Sequence, residues 1–163
     1  MTKYILHGGY TRIKNKSNEQ FFKEILSSFK SSAKFLLVLF ARPENEWPML
    51  EKREINLLKI ARPDLQLHFE IAAKDTVSLK KQIQNSDVIY ILGGKNNPLQ
   101  KELKKIKKLK ELFTDKVIVG SSAGAYALST YYYSREDKGI FEGLKILPIK
   151  VLSHYLPQLN KKL

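Results

Sequence analysis

The chain has 163 residues, of which 43% are hydrophobic and 28% charged, a balance typical of one globular domain with its own core. Cysteine is absent, which excludes disulfide bonds, thiolate metal sites and a cysteine nucleophile. The net charge of +13 comes mostly from lysine, since only five of the 29 basic residues are arginine, and lysine suits a solvated surface better than specific nucleic-acid recognition.

Strand-like and helical segments alternate from the first residues of the chain. Short apolar runs typical of strands cover residues 3–7, 34–41, 65–72, 87–92 and 116–119. Helical patterns cover residues 17–29, 47–61, 76–84 and 98–113, and a further helix begins near residue 123. Ser17 and Gln20 have the spacing of a capping box, and Pro98 stands in a first helical turn. The alternation predicts a doubly wound α/β domain over residues 1–163, with a mostly parallel sheet between two helical layers.

The alternation ends after Tyr133. A polar stretch at residues 134–139 leads to two short extended segments, 144–147 and 149–153, which Pro148 separates. No internal repeat or linker is present, so a single domain is expected.

The lysine-rich run at residues 101–110 falls on the helix predicted at 98–113. Its apolar positions keep helical spacing, so the lysines are expected on the outer, solvated face. A nucleic-acid footprint and an attraction for acidic small substrates remain as alternatives. The absence of a Gly-x4-Gly-Lys-Ser/Thr phosphate loop weighs against a phosphate-binding role.

No apolar run approaches the roughly 18 residues that a membrane-spanning helix needs. The longest one, residues 35–41, has the length of a strand, and the N-terminal segment lacks the apolar core of a signal peptide. We therefore expect a cytoplasmic protein without a membrane partner.

Three pairs of glycines follow predicted strands: Gly8 and Gly9, Gly93 and Gly94, and Gly120 and Gly124. The carboxyl ends of parallel strands meet at one edge of a sheet, where open α/β sheets bind their ligands. The pairs therefore predict a site at that edge rather than three unrelated strand ends.

The most informative segment is a Gly-x-Ser-x-Gly motif centred on Ser122. An apolar strand precedes it and a helix of small residues follows it, which is the context of a serine nucleophile held on a sharp turn. The alternative is that Ser121 and Ser122 cap the helix. As a nucleophile, Ser122 would have the amide of Ala123 as one oxyanion donor, and the amides of Gly93 and Gly94 could supply a second.

A serine hydroxyl needs an adjacent base, and the chain offers three histidines. His154 follows the last extended segment and comes after the serine, as in α/β-hydrolases, so it is the preferred base. His7 ends the first strand on the correct edge and is the alternative, whereas His68 lies within a strand. Asp137, in the glycine-flanked stretch before His154, is the expected acid of the triad, and Glu136 is its competitor.

These residues together resemble the peptidase E (aspartyl dipeptidase) and cyanophycinase family of serine peptidases, which has a class I glutamine amidotransferase-like fold. The resemblance covers nearly the whole chain. It depends on four motifs: His7-Gly8-Gly9, Ile91-Leu92-Gly93-Gly94-Lys95-Asn96, Gly120-Ser121-Ser122-Ala123-Gly124-Ala125, and Leu144-Lys145-Ile146-Leu147-Pro148 ahead of Ser153-His154.

The resemblance implies that Ser122 is the nucleophile, His154 the base and Asp137 the acid of a peptidase acting on small peptides next to an acidic residue. Lys95 and Asn96, which complete the glycine motif, are expected to bind the substrate. No metal or cofactor is implied. Family members usually continue well beyond the histidine, and Leu152-Ser153 stands where they often have asparagine-proline. A homodimer that covers the site, and a catalytically degenerate domain that acts as a binding module, are the further hypotheses.

Overall fold

The computed structural model describes residues 1–154, which form two β-sheets with helices on both sides of the larger one. The larger sheet consists of β1 (Lys3–His7), β2 (Ser32–Val38), β3 (Gln66–Ile71), β4 (Val88–Ile91) and β5 (Val117–Ser121). The helices are α1 (Lys16–Leu26), α2 (Trp47–Ala61), α3 (Thr76–Asn85), α4 (Asn96–Lys104), α5 (Leu109–Leu112) and α6 (Ala123–Leu128). The smaller sheet consists of β6 (Tyr131–Ser134), β7 (Gly139–Glu142) and β8 (Lys150–Val151).

The five strands of the larger sheet are all parallel and lie in the order β1-β5-β4-β2-β3. The predicted α/β class with a parallel sheet is therefore confirmed. Because the strands are parallel, the carboxyl ends of β1, β5, β4 and β2 lie at one edge, and the loops that follow them are neighbours.

Successive residues of the central strands are buried on opposite faces of this sheet. Phe35 and Leu37 of β2 pack in the layer formed with α1 and α2, whereas Leu36 and Val38 pack in the layer formed with α3 to α6. This two-sided burial explains why these strands are continuous apolar runs rather than alternating ones.

Two helices differ from the sequence-based prediction. The first spans Lys16–Leu26 instead of residues 17–29, and its cap is Asn15 rather than Ser17. The Oδ1 of Asn15 accepts a hydrogen bond of 2.8 Å from the amide of Asn18. The predicted helix 98–113 is two helices, and Lys108, with a φ of 59°, interrupts them. Lysines three and four residues apart repel one another there, which weakens a continuous helix.

The segment after α6 also differs from the prediction. Residues 131–142 form an antiparallel hairpin of β6 and β7, and the polar stretch at 134–139 contains its turn. Residues 144–147 are not a strand: the amides of Leu144 and Leu147 donate to the carbonyls of Ala127 and Leu128, both 2.8 Å away. They satisfy carbonyls at the end of α6, which have no partner within the helix.

The six lysines at positions 101–110 are exposed, while Leu103, Ile106 and Leu109 are buried, as the helical spacing predicted. Among residues 1–154, no helix has both the length and the apolar character to cross a membrane. Within the same residues, no group of three acidic, histidine or cysteine side chains is arranged to hold a metal ion.

Candidate active site

Ser122 occupies the sharp turn between β5 and α6. Its backbone has φ 51° and ψ −110°, a conformation that costs about 1–3 kcal/mol for a residue with a side chain. The turn is held against β1 by a hydrogen bond of 2.9 Å from the Ser122 amide to the His7 carbonyl. A Cβ at Gly120 would lie 2.8 Å from the backbone of Gly124, and one at Gly124 would overlap the backbone of Ile91. Both positions must therefore be glycine for the helix to approach the sheet.

The imidazole of His154 lies directly over Ser122, with Nε2 3.0 Å from the serine Oγ. Its backbone amide donates a hydrogen bond of 3.0 Å to the carbonyl of Gly8, so the end of β1 also positions the histidine. The backbone of Gly9, with a φ of 111°, packs against the imidazole of His154. The ring of Tyr10 also contacts the imidazole, and the two ring centroids are 4.4 Å apart. The structure thus brings together the two residues predicted as nucleophile and base.

The residue before the histidine is anchored to the nucleophile helix. Ser153 is fully buried, and its amide donates a hydrogen bond of 3.2 Å to the hydroxyl of Tyr126 in α6. On the other side, Arg135 Nη1 donates a hydrogen bond of 3.3 Å to the carbonyl of His154. The base is therefore fixed by backbone contacts to β1, α6 and the β6–β7 turn.

The structure does not bring the predicted acid to the histidine. Asp137 Oδ2 accepts a hydrogen bond of 2.7 Å from Ser134 Oγ, and its amide donates back to the same hydroxyl, so the carboxylate closes the hairpin turn. Glu136 lines a cavity shared with His154 but makes no hydrogen bond to it. Within residues 1–154, the buried Nδ1 of His154 has no hydrogen-bond partner. The expected triad therefore appears in this part of the chain as a Ser–His pair.

The surroundings of His154 favour the neutral imidazole. Burial lowers its pKa below the ordinary histidine value, and the positive charge of Arg135 lowers it further, with a smaller contribution from the neighbouring His7. A neutral imidazole is the form that accepts a proton, so the base is ready to act at neutral pH.

The other two histidines have different surroundings. His7 Nδ1 accepts a hydrogen bond of 3.1 Å from the amide of Gly9, and its ring packs on Phe21. It therefore shapes the loop after β1. His68 is exposed on β3 and lines a separate cavity, away from Ser122.

The predicted oxyanion donors surround Ser122. Gly93 lies so close that a Cβ there would be 2.9 Å from the Ser122 Cβ, and its carbonyl accepts a hydrogen bond of 2.9 Å from Arg42 Nε. Gly94, in the loop after β4, has a φ of 153°, and a Cβ there would overlap the carbonyl of Ala41, which follows β2. Ala123 is the first residue of α6, so its amide has no partner within the helix.

The two predicted substrate-binding residues have different positions. Asn96 lines a cavity with Ser122 and His154, and its buried Oδ1 has no partner among the described residues. The exposed Lys95 does not line that cavity, although its amide donates a hydrogen bond of 2.9 Å to the Ala41 carbonyl. The geometry therefore favours Asn96 over Lys95 as a contact for a ligand.

Arginine is concentrated around the site, which the sequence reasoning missed. A cavity of about 290 Å³ opens beside Ser122 and His154, and three arginines line it: Arg12, Arg42 and Arg53. Arg135 lines the adjoining cavity, so four of the chain's five arginines surround the nucleophile. The scarcity of arginine beside abundant lysine was the available signal, because arginine binds carboxylates in a fixed, bidentate geometry.

Comparison with solved structures finds the same fold in several proteins, including two that are named as peptidases. A Listeria monocytogenes EGD-e protein named for peptidase E has a TM-score of 0.69 and 20% identity, over 99% of this chain and 84% of that protein. A peptidase from an acI-B1 Actinobacterium has a TM-score of 0.65 and 19% identity, over 90% of this chain, and the match spans 65% of the actinobacterial chain. Similarity at this level of identity concerns the fold.

Sequence comparison gives the family. No curated protein matches the chain. The profile of peptidase family S51, however, matches residues 4–162, which include both Ser122 and His154. The resemblance drawn from the glycine and serine motifs is thereby confirmed, and the chain belongs to peptidase family S51.

Proposed function

We propose that this peptidase cleaves small acidic peptides through an ester intermediate on Ser122. The observation that carries the proposal is the 3.0 Å separation of Ser122 Oγ and His154 Nε2 on a turn that exposes the hydroxyl. This separation lies within the range over which a base can take the proton of a nucleophile.

The chemistry follows from this geometry. Ser122 Oγ forms a bond to the peptide carbonyl carbon while its proton moves to His154 Nε2. The protonated imidazole then gives that proton to the leaving amine as the carbon–nitrogen bond breaks. Water, deprotonated by the same Nε2, releases the acid from the serine ester and restores the hydroxyl.

The negative charge that develops on the carbonyl oxygen needs hydrogen-bond donors. Gly94 lines both cavities beside Ser122, and Ala123 directly follows the serine at the start of α6, so the amides of these two residues are the proposed donors. One such donor typically lowers the barrier by roughly 2.7–4 kcal/mol.

Acidic substrates are proposed because of the arginines. Four guanidinium groups surround the nucleophile, and a carboxylate held by one of them gains strong, charge-assisted hydrogen bonds. Asn96 lines the adjoining cavity, where its Oδ1 would add a neutral acceptor.

A set of dipeptides that vary in the first residue tests this function. We expect Asp-Leu to be cleaved faster than Asn-Leu, and Ser122→Ala to lose about a thousandfold or more in kcat. Equal cleavage by wild type and Ser122→Ala would contradict the role of the serine.

Among residues 1–154 the Nδ1 of His154 has no partner, and this observation favours a second candidate, an acidic-peptide binding module with little turnover. The same experiment separates the two functions. Binding of Asp-Leu without release of leucine would favour the module.

A further inference from the structure

Glu54 is a carboxylate at a core position. Helix α2 turns three residues toward the sheet at intervals of four, Leu50, Glu54 and Leu58, and the side chain of Glu54 is 0% exposed. Helical periodicity predicts an apolar residue at this position. A carboxylate is unfavourable there because burial removes its hydration. The function proposed above does not use this residue.

The contacts of Glu54 point toward the cavity beside Ser122. Its Oε1 accepts hydrogen bonds from Arg53 Nε at 2.8 Å and from Nη2 at 2.5 Å. Its Oε2 is buried, and the carboxylate interacts with the nearby Tyr90 hydroxyl, although neither Oε2 nor that hydroxyl makes a hydrogen bond of ordinary geometry among residues 1–154. Tyr90 and Arg53 both line the cavity of about 290 Å³, so Glu54 lies directly behind its wall.

Among the described residues, only one side of the Arg53 guanidinium is hydrogen-bonded. Nε and Nη2 are turned to Glu54, whereas Nη1 makes no hydrogen bond within the described part of the chain. The side chain is 31% exposed and lines the cavity that also contains Ser122 and His154. A guanidinium fixed in this way loses little conformational freedom when it binds a carboxylate.

The other two arginines of this cavity are held differently. Arg42 donates to the Gly93 carbonyl and lies 3.6 Å from Glu46, so it supports the loop next to the nucleophile. Arg12 is exposed and has no hydrogen bond or ion pair with residues 1–154. Arg53 alone among the three has a fully buried carboxylate behind it.

We propose that Arg53 is the specificity-determining residue for the anionic group of the substrate, and that Glu54 is the positioning residue that aims it into the cavity. The inference rests on the proposed peptidase function and adds to it a residue that selects substrates by binding their carboxylate.

The test compares Asp-p-nitroanilide with Asn-p-nitroanilide, which differ in charge but hardly in size. We expect Arg53→Met and Glu54→Met each to lower the Asp-over-Asn ratio of kcat/KM by about tenfold to a hundredfold. The loss should appear in KM for the aspartyl substrate, and the double variant should lose little more than either single one. Arg62→Met is the matched control, since this arginine pairs with Asp64 and does not line the cavity.

The direction of the Glu54→Met effect separates positioning from simple electrostatics. Removing a negative charge behind the cavity would by itself strengthen the binding of an anion. A ratio that rises or stays unchanged in Glu54→Met would therefore overturn the proposal. Methionine is close in size to leucine, so the core position should accept it. If Glu54→Met fails to fold, Glu54→Gln keeps the shape and should lower the ratio in the same direction by a smaller factor.

A binding measurement keeps the inference separate from the peptidase activity. Calorimetry of Ser122→Ala with L-aspartate and with L-asparagine requires no turnover. A preference for L-aspartate that Glu54→Met abolishes would support the inference even in a protein that cleaves nothing. Equal binding of the two amino acids, together with cleavage of Asn-p-nitroanilide, would leave the peptidase intact and overturn the role of Arg53 and Glu54.

Discussion

Gly9→Ala provides a sharp test of how the base is positioned. A Cβ at Gly9 would lie 2.8 Å from His154 Nε2 and would overlap the neighbouring ring carbon. Carbon atoms normally pack at about 3.5–4.0 Å, so the imidazole has to move by about 1 Å. Its Nε2 now lies 3.0 Å from Ser122 Oγ, and a displacement of that size typically costs about a hundredfold in rate. The backbone adds strain of about 1–3 kcal/mol, because a φ of 111° is unfavourable for alanine.

The neighbouring Gly8→Ala is the matched control. A Cβ at Gly8 would lie 3.7 Å from the His154 amide nitrogen, which is an ordinary contact. We expect kcat for an ester substrate to fall about a hundredfold in Gly9→Ala and less than about threefold in Gly8→Ala, with thermal unfolding recorded for both. Equal kcat in the two folded variants would refute the reasoning that contact with Gly9 sets the position of the base.

Three further predictions follow from the site and the turn. Burial and Arg135 lower the pKa of His154, and the neutral ring is the base, so kcat/KM should rise with pH through an apparent pKa below the ordinary histidine value. Arg135→Gln should raise that apparent pKa and move the rise in kcat/KM to higher pH. An unshifted pH profile would contradict the effect of the Arg135 charge on His154. Asp137→Asn should reduce kcat far less than Ser122→Ala does, because the Asp137 carboxylate accepts a hydrogen bond from Ser134 within the hairpin turn. An equally large loss of kcat in steady-state assays would show that Asp137 is the acid of the triad. Gly124→Ala should lower the thermal unfolding midpoint markedly, since its Cβ would overlap the backbone of β4, and an unchanged midpoint would show that α6 can move away from the sheet.

The parallel sheet was predictable because its strands are buried on both faces, which leaves continuous apolar runs in the sequence. Strand β2 illustrates this, since four consecutive residues from Phe35 to Val38 are buried. The hairpin at residues 131–142 was not predictable in the same way. Its strands are short and partly exposed, and Ser134 and Asp137 fix its turn through a side-chain hydrogen bond that hydrophobic periodicity does not encode.

The Ser122–His154 pair could be predicted because each residue has a local signal: a glycine-flanked turn for the serine and a position after the last extended segment for the histidine. The acid had no comparable signal. Asp137 is close to His154 in sequence, but a nearby hydroxyl satisfies its carboxylate. The arginine-lined cavity could not be predicted either, because Arg12, Arg42 and Arg53 come from three different segments that only the fold brings together.

The measurement that tests the central claim most directly is covalent labelling with a fluorophosphonate, with the modified residue located by mass spectrometry. We predict a single phosphonylated residue, Ser122, no label in Ser122→Ala, and labelling slowed by at least about a hundredfold in His154→Gln. Folded wild-type protein that takes up no label, or Ser122→Ala that is labelled at the wild-type rate, would contradict the assignment of Ser122 and His154 as nucleophile and base.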